Sequence, residues 1–172
     1  MGSFKYPPNQ EVIDWFINSV SPYIDTNIDL NVYGSGMTKE DIEDLSAEKV
    51  KLHGFVEDLH DAFDQHKIFI APLRSGAGIK GKVLNAVAHG IPTILSPVAA
   101  EGTGLRHGQE CLVAETTDDW KEAIHRLVDD EALWLKIASN AQAYVEDNFS
   151  FKSGRKDMRK ILESINIYSS LP

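Results

Sequence analysis

The sequence is poor in everything that would crosslink it, anchor it or carry it onto a polyanion. A single cysteine, Cys111, stands among 172 residues. It has no intrachain partner for a disulfide, and the count suits a reducing cytoplasm. The longest apolar runs, such as Ile68–Leu73, fall far short of the roughly 20 residues that cross a bilayer as a helix. The first residues lack the basic region and apolar core of a secretory signal. There is no internal repeat and no low-complexity tract. Basic residues are outnumbered, 17 Lys and Arg against 26 Asp and Glu, for a net charge of −9. Such a balance argues against nonspecific nucleic-acid binding. The most informative scarcity is local. From Gln65 to Ala100 there is no Asp or Glu, while Lys67, Arg74, Lys80 and Lys82 fall in the same stretch. An acidic chain has cleared its acids from one segment and kept the bases, which is how an anion site is built.

What is present reads as alternating helices and strands. Asn9 is placed to cap a helix whose apolar positions Val12, Trp15, Phe16 and Val20 share a face. Strands are predicted at Ile28–Tyr33, Val50–Phe55, Ile68–Leu73, Thr93–Leu95 and Cys111–Ala114. Short helices are predicted at Lys39–Leu45, at Leu59–Gln65 with Asp58 as cap, and from Gly81 to His89, where Gly90 and Pro92 end it. The last third carries three apolar stripes at helical spacing. They are Trp120, Ala123, Ile124 and Leu127 (with Thr117 as cap), then Leu133, Ile137, Ala138, Ala141 and Tyr144, then Met158, Ile161, Leu162 and Ile165. Strands alternating with helices predict an α/β domain, a Rossmann-like parallel sheet covered by helices on both faces. Its expected extent is residues 1–150, with a helical C-terminal segment over 151–172 completing it or extending from it.

Ligands of such sheets bind beyond the carboxyl ends of strands, which singles out Arg74-Ser75-Gly76-Ala77-Gly78-Ile79-Lys80-Gly81-Lys82. Glycines there let backbone amides approach a ligand with no Cβ in the way. A helix N-terminus follows with unpaired N–H groups and partial positive charge, and Arg74, Lys80 and Lys82 add full charges. Two nucleotide fingerprints compete for the same residues. Gly76, Gly78 and Gly81 satisfy Gly-x-Gly-x-x-Gly, with Glu101 twenty residues on, which gives a nicotinamide-type reading. Against it, Pro72–Ser75 separate the glycines from the strand. Gly76–Lys82 also matches most of a phosphate-binding Walker loop, but its last position is Val83, where a magnesium-binding Ser or Thr is required.

A third pattern covers more of the chain. The stretch Ala71-Pro72-Leu73-Arg74-x-Gly-Ala-Gly-Ile-Lys-x-Lys-Val-Leu-x-Ala-Val-Ala-x-Gly-Ile-Pro-Thr, with Glu101-Gly102 beyond it, resembles family-4, group 1 glycosyltransferases. Upstream, Gly2-Ser3-Phe4-x-Tyr6-x-Pro8-Asn9 is similar to the turn after the first strand of that family's donor domain. Val50-x-Leu52-x-Gly54-Phe55-Val56-x-Asp58-Leu59 is similar to its strand and turn near the nucleotide base.

The resemblance implies the C-terminal half of a GT-B enzyme: the half that binds a nucleotide diphosphate-sugar, facing an acceptor domain that lies N-terminal to it in the intact polypeptide. It implies sugar transfer with retention, to a carbohydrate or lipid-linked acceptor, without a metal or other cofactor. It implies donor diphosphate binding by Arg74, Gly78, Lys80, Gly81 and Lys82, ribose and base binding by Phe55, Val56 and Asn85, and cleft positions at Gly2, Ser3 and Glu101. It assigns no catalytic base within this chain, and the chain alone is expected to be inactive. The expected location is the cytoplasm, with any membrane association made through the acceptor domain. Many members carry two glutamates with seven residues between them in this loop and helix; the matching positions here are Ala77 and Asn85. An amide at 85 donates and accepts hydrogen bonds but brings no charge, which motivates an alternative, a binding or regulatory module with the same fold. A metal site at His60, Asp64 and His66 has no diagnostic spacing, and Ser96 lacks the frame of a hydrolase nucleophile.

Overall fold

The computed structural model describes residues 2–25, 27–36 and 50–165. Among the described residues there are six strands: β1 (Gly2–Ser3), β2 (Leu30–Ser35), β3 (Val50–Gly54), β4 (Phe69–Ala71), β5 (Thr93–Leu95) and β6 (Leu112–Val113). The helices are α1 (Pro7–Ser19), α2 (Leu59–Phe63), α3 (Gly81–Ala88), α4 (Pro97–Ala100), α5 (Thr117–Asp129), α6 (Glu131–Phe149) and α7 (Phe151–Ser164), with a 3₁₀ turn at Ser21–Tyr23. The helix expected at Lys39–Leu45 lies outside the described residues.

Every strand pair is parallel. The strands form two sheets of three, ordered β1-β2-β3 and β4-β5-β6. Alternation along the strands places helices on both faces. Ile70, Ile94 and Leu112 belong to one apolar cluster with Phe16 of α1, Trp120, Ile124 and Leu127 of α5 and Ile137 of α6. Their neighbours Phe69, Ala71, Leu95, Cys111 and Val113 face the other way, onto Val83 and Val87 of α3, Ala99 of α4 and Ala141 of α6. Strands packed on both faces carry no polar side, which is why β4 reads as a continuous apolar run; β5 departs from it at Thr93, whose fully buried Oγ1 has no hydrogen-bond partner among the described residues.

Helix ends follow their local chemistry, with two corrections. Asp58 caps α2 by accepting from the His60 amide at 2.9 Å, as expected. The cap of α5 is Thr116 rather than Thr117, in a reciprocal box with Asp119. The cap of α1 is Tyr6, with proline in the first turn and no side-chain acceptor. Asn9 is already inside that helix. Its amide reaches back to the Ser3 carbonyl at 2.9 Å, so it pins the β1–α1 turn instead of capping α1. The stripe Met158, Ile161 and Ile165 is exposed, and α7 buries none of its described residues. Helical periodicity there describes an amphipathic helix without a covering partner among the described residues.

Candidate functional site

The loop between β4 and α3 leaves the sheet at the carboxyl end of β4. Its conformation requires glycine at two places: Gly76 has φ +131° and Gly78 φ +73°, in the region that residues with a Cβ rarely enter. Gly81 is different. Its φ is ordinary and an added Cβ would meet nothing within 4 Å. It is the first residue of α3, so the glycine keeps the helix start clear rather than relieving strain. The N–H of such a first-turn residue has no carbonyl four residues back to bond, and the helix dipole adds partial positive charge there.

Lys80 is 9% exposed, and its Nζ donates to the Gly78 carbonyl at 2.6 Å. An ammonium carries three N–H donors, so a cation is folded under the loop with donors beyond the one that bond uses. Arg74 is exposed at the loop's entry, with its guanidinium 5.3 Å from the centre of the Trp15 ring. A cation over an indole face is attracted by the ring's quadrupole, so α1 holds Arg74 beside the loop. Lys82 points elsewhere. It is half-buried, lines the cavity between the two sheets, and burial lowers its pKa. Of the three bases, Lys80 and Arg74 flank the glycine loop, and Lys82 lies behind it.

The remaining sequence-derived positions fall around this loop to differing degrees. Gly102 approaches it closely: a Cβ there would lie 3.4 Å from the Ile79 side chain. Glu101 is exposed at the end of α4. It does not follow directly on a strand, as a nicotinamide-ribose carboxylate would. Asn85 is exposed on α3, one turn beyond Lys82. Phe55 is 72% exposed after β3, an unusual state for a phenyl group, and Val56 beside it is half-buried. Gly2 and Ser3 pair with Gly34 and Ser35, and a Cβ on Gly34 would stand 2.0 Å from the Gly2 carbonyl. Gly34 therefore allows a close backbone approach where β1 ends, and Gly2 leaves room for the Asn9 side chain, 2.7 Å from where its Cβ would stand. The histidines weighed as metal ligands are engaged otherwise. His60 is 2.9 Å from His89, and His66 is 2.6 Å from the Tyr33 hydroxyl. Among the described residues no group of three or more His, Cys, Asp or Glu converges.

Three supporting residues had no signal in the sequence reading. Ser96 Oγ donates to the Leu73 carbonyl at 2.5 Å and accepts from the Ala99 amide at 3.1 Å. One hydroxyl thereby ties the start of the glycine loop to the end of β5 and caps α4. Thr103 is buried and bonds the Ala100 carbonyl and the Leu105 amide, and Tyr144 of α6 donates to its own carbonyl at 3.3 Å. Glu110 is 4% exposed. Arg106 meets it with its backbone N–H at 3.0 Å and its guanidinium at 3.1 and 2.5 Å. These bonds from Arg106 hold the carboxyl below the usual carboxylate range. The signal that could have found Ser96 is its position before Pro97 at a helix start; Thr103 and Glu110 act through contacts that no local pattern records.

An all-parallel, helix-covered domain with a cationic glycine loop at a strand's carboxyl end is the architecture of one half of a GT-B glycosyltransferase. The chain belongs to a family of that class: the family described as glycosyl transferases group 1 matches residues 1–130. An uncharacterized 44.6 kDa protein in the cps region of Klebsiella pneumoniae is 25% identical over 176 residues, which cover 96% of this chain and 44% of that protein. HepE of Anabaena, solved in complex with UDP, superposes with a TM-score of 0.76 at 17% identity, covering 95% of this chain and 48% of that one. The C-terminal domain of LpcC, a group 1 family glycosyl transferase of Francisella tularensis, superposes with a TM-score of 0.69 at 18% identity, covering 88% of this chain and 84% of that domain. The chain thus spans somewhat less than half the length of its curated relative, and the likeness to the solved structures is one of fold. Among the described residues no helix is long and apolar enough to cross a membrane.

Proposed function

We propose that this chain binds a nucleotide diphosphate-sugar at the loop Arg74–Lys82 and is the donor-binding half of a retaining glycosyltransferase acting on a carbohydrate or lipid-linked acceptor. The observation that carries the reading is the pairing of Lys80, folded under the glycine loop, with the open helix start at Gly81. Together they offer a charge and backbone donors to one diphosphate. Arg74 closes the other side of the loop. As the glycosidic bond to the donor breaks, negative charge grows on the leaving diphosphate, and Lys80 and Arg74 would stabilise it in place. The loop's own cations would provide that countercharge without a metal ion or other cofactor. Lys82 would contribute through its charge behind the loop. Phe55 and Val56 would meet the base, Asn85 the ribose, and Gly2, Ser3 and Glu101 would border the sugar. The opposing acceptor domain would come from the N-terminal part of the intact polypeptide, and the whole enzyme would work in the cytoplasm. That HepE was solved with UDP supports the nucleotide class.

Calorimetric titration with UDP, GDP and ADP in excess EDTA tests this. Weak binding of at least one is expected. Binding that appears only with magnesium would favour the Walker-type reading of the same loop. Asn85, where a charged partner for the ribose is common, favours one second reading, a binding module without turnover. Donor hydrolysis or transfer by the intact polypeptide would exclude it.

A further inference from the structure

His60 and His89 are distant in sequence and meet near the surface. His60 is the second residue of α2, and His89 is the C-cap of α3. His60 Nδ1 and His89 Nε2 are 2.9 Å apart, and the ring centres 4.1 Å. His60 is exposed and His89 half-buried. The hydrogen bonds around the pair fix a tautomer. His89 Nδ1 lies 2.7 Å from the Asn85 carbonyl. A carbonyl only accepts, so Nδ1 carries the proton and Nε2 of the neutral ring is a lone pair. His60 therefore donates to it from Nδ1. Phe63 flanks the His89 ring, with centres 4.9 Å apart, so that imidazole is held from two sides.

A carbonyl behind the far ring nitrogen is the support that metal-ligating histidines commonly have, because it sets the ring plane and the ligating atom. The spacing of the two facing nitrogens suits an ion as well as a hydrogen bond. Two nitrogens about 2.05 Å from one metal lie about 2.9 Å apart at a right angle and about 3.3 Å apart at the tetrahedral angle. Right-angle pairs belong to tetragonal ions, Cu(II) and Ni(II), rather than to zinc. We infer that His60 and His89 form a surface site for a divalent copper or nickel ion, copper being held more tightly. On binding, His60 gives up the Nδ1 proton and takes one at Nε2, so both rings stay neutral and both turn a lone pair to the ion. Among the described residues no third His, Cys, Asp or Glu joins them. Water then fills the other positions, and the ion exchanges with solution. His66, close to His60 in sequence, faces Tyr33 instead. The site sits at the far end of α3 from Gly81, about 12 Å away at the helical rise, so the inference does not depend on what the loop binds. An ion there ties α2, which follows Phe55 and Val56, to α3, which carries Asn85.

The test titrates untagged protein with copper(II) chloride in a non-coordinating buffer at pH 7, read by calorimetry and by electron paramagnetic resonance. One equivalent should bind, with a tetragonal spectrum split by two nitrogens. His60→Gln and His89→Gln should each weaken that binding at least about ten-fold, as disturbing a metal ligand does. Copper should raise the melting midpoint of the parent, since it binds only the folded pair, and should raise it less in either variant. Should His89→Gln fold poorly, His60→Gln decides alone, because His60 is exposed. Equal copper affinity in the parent and in His60→Gln would put the ion on another of the six histidines or on the chain terminus, and overturns the inference. A spectrum without two-nitrogen splitting overturns it as well.

Discussion

At the scale of single residues, the loop separates a glycine fixed by its backbone from groups that the proposed function assigns to a ligand. Gly78 is required by its φ, whereas Gly81 and Lys80 would meet the proposed diphosphate. Arg74→Ala should leave the fold intact, since surface substitutions usually shift stability by less than roughly 0.5 kcal/mol, and Lys80→Ala should keep the fold at a cost of about 1 kcal/mol for the lost bond to the Gly78 carbonyl. A hydrogen bond to a charged group is worth about 1.5–3 kcal/mol, so each should weaken nucleoside diphosphate binding about ten-fold or more, read by calorimetry. Unchanged affinity in both variants would move the diphosphate site away from this loop. Lys82→Ala should act less on affinity, because Lys82 lies behind the loop against the cavity. Cys111 gives an independent check on packing. Burial raises its thiol pKa to about 12, and only the thiolate reacts. At pH 8 the native protein should be inert to a thiol reagent such as dithionitrobenzoate, and one equivalent should react once the chain is unfolded. Rapid labelling of folded protein would show that the core around β6 opens.

At the scale of elements, the sequence was most legible where one local cause decides the structure. β4 and β5 are short, packed on both faces and bounded by Pro72 and Ser96, and they appear within the stretches where the pattern put them. The cap of α2 and the start of α3 follow from Asp58 and from the glycine loop. The candidate loop was legible too, because glycines, bases and the lack of acids coincide within nine residues. What escaped depends on partners distant in sequence. The inward direction of Lys82 is set by the gap between sheets, and the exposure of the α7 stripe by the lack of a covering element among the described residues. The Arg106–Glu110 clasp before β6 is the clearest case, since four residues of spacing in a loop predict nothing by themselves. Its consequence is a pH dependence. Glu110 has a lower pKa folded than unfolded, so its stabilisation is complete above the ordinary carboxylate range and fades as pH falls through the folded value. Unfolding midpoints measured from pH 7 down to pH 3 should therefore fall less steeply for Glu110→Gln than for the parent. Equal slopes would show that the clasp does not form in solution. On α7, Met158→Glu with Ile161→Glu should change stability by no more than about 1 kcal/mol, because surface positions tolerate such changes; a large loss would reveal a covering partner in solution.

At the scale of the whole molecule, the division into two sheets is also a division of the chain. Every strand of the first sheet precedes residue 55, and every strand of the second follows residue 68. If the chain is the donor-binding half proposed above, it should bind donor without turning it over. Incubation of this chain with radiolabelled UDP-sugars and simple acceptors should yield no transfer product, and measurable turnover would show that it holds a complete active site. α1 crosses the bipartite plan: Phe16 packs edge-on against Trp120 of α5, with ring centres 5.7 Å apart. The ribosome makes α1 about a hundred residues before α5. Ile13 and Ile17 of α1 find partners early in Phe4 and Val32, but Phe16 waits for Trp120, so the nascent chain carries an adhesive ring while the segment between is made. Vectorial production thus leaves the early half dependent on the late half for closure. A nascent chain stalled before Trp120 should bind chaperones that one stalled beyond α5 releases.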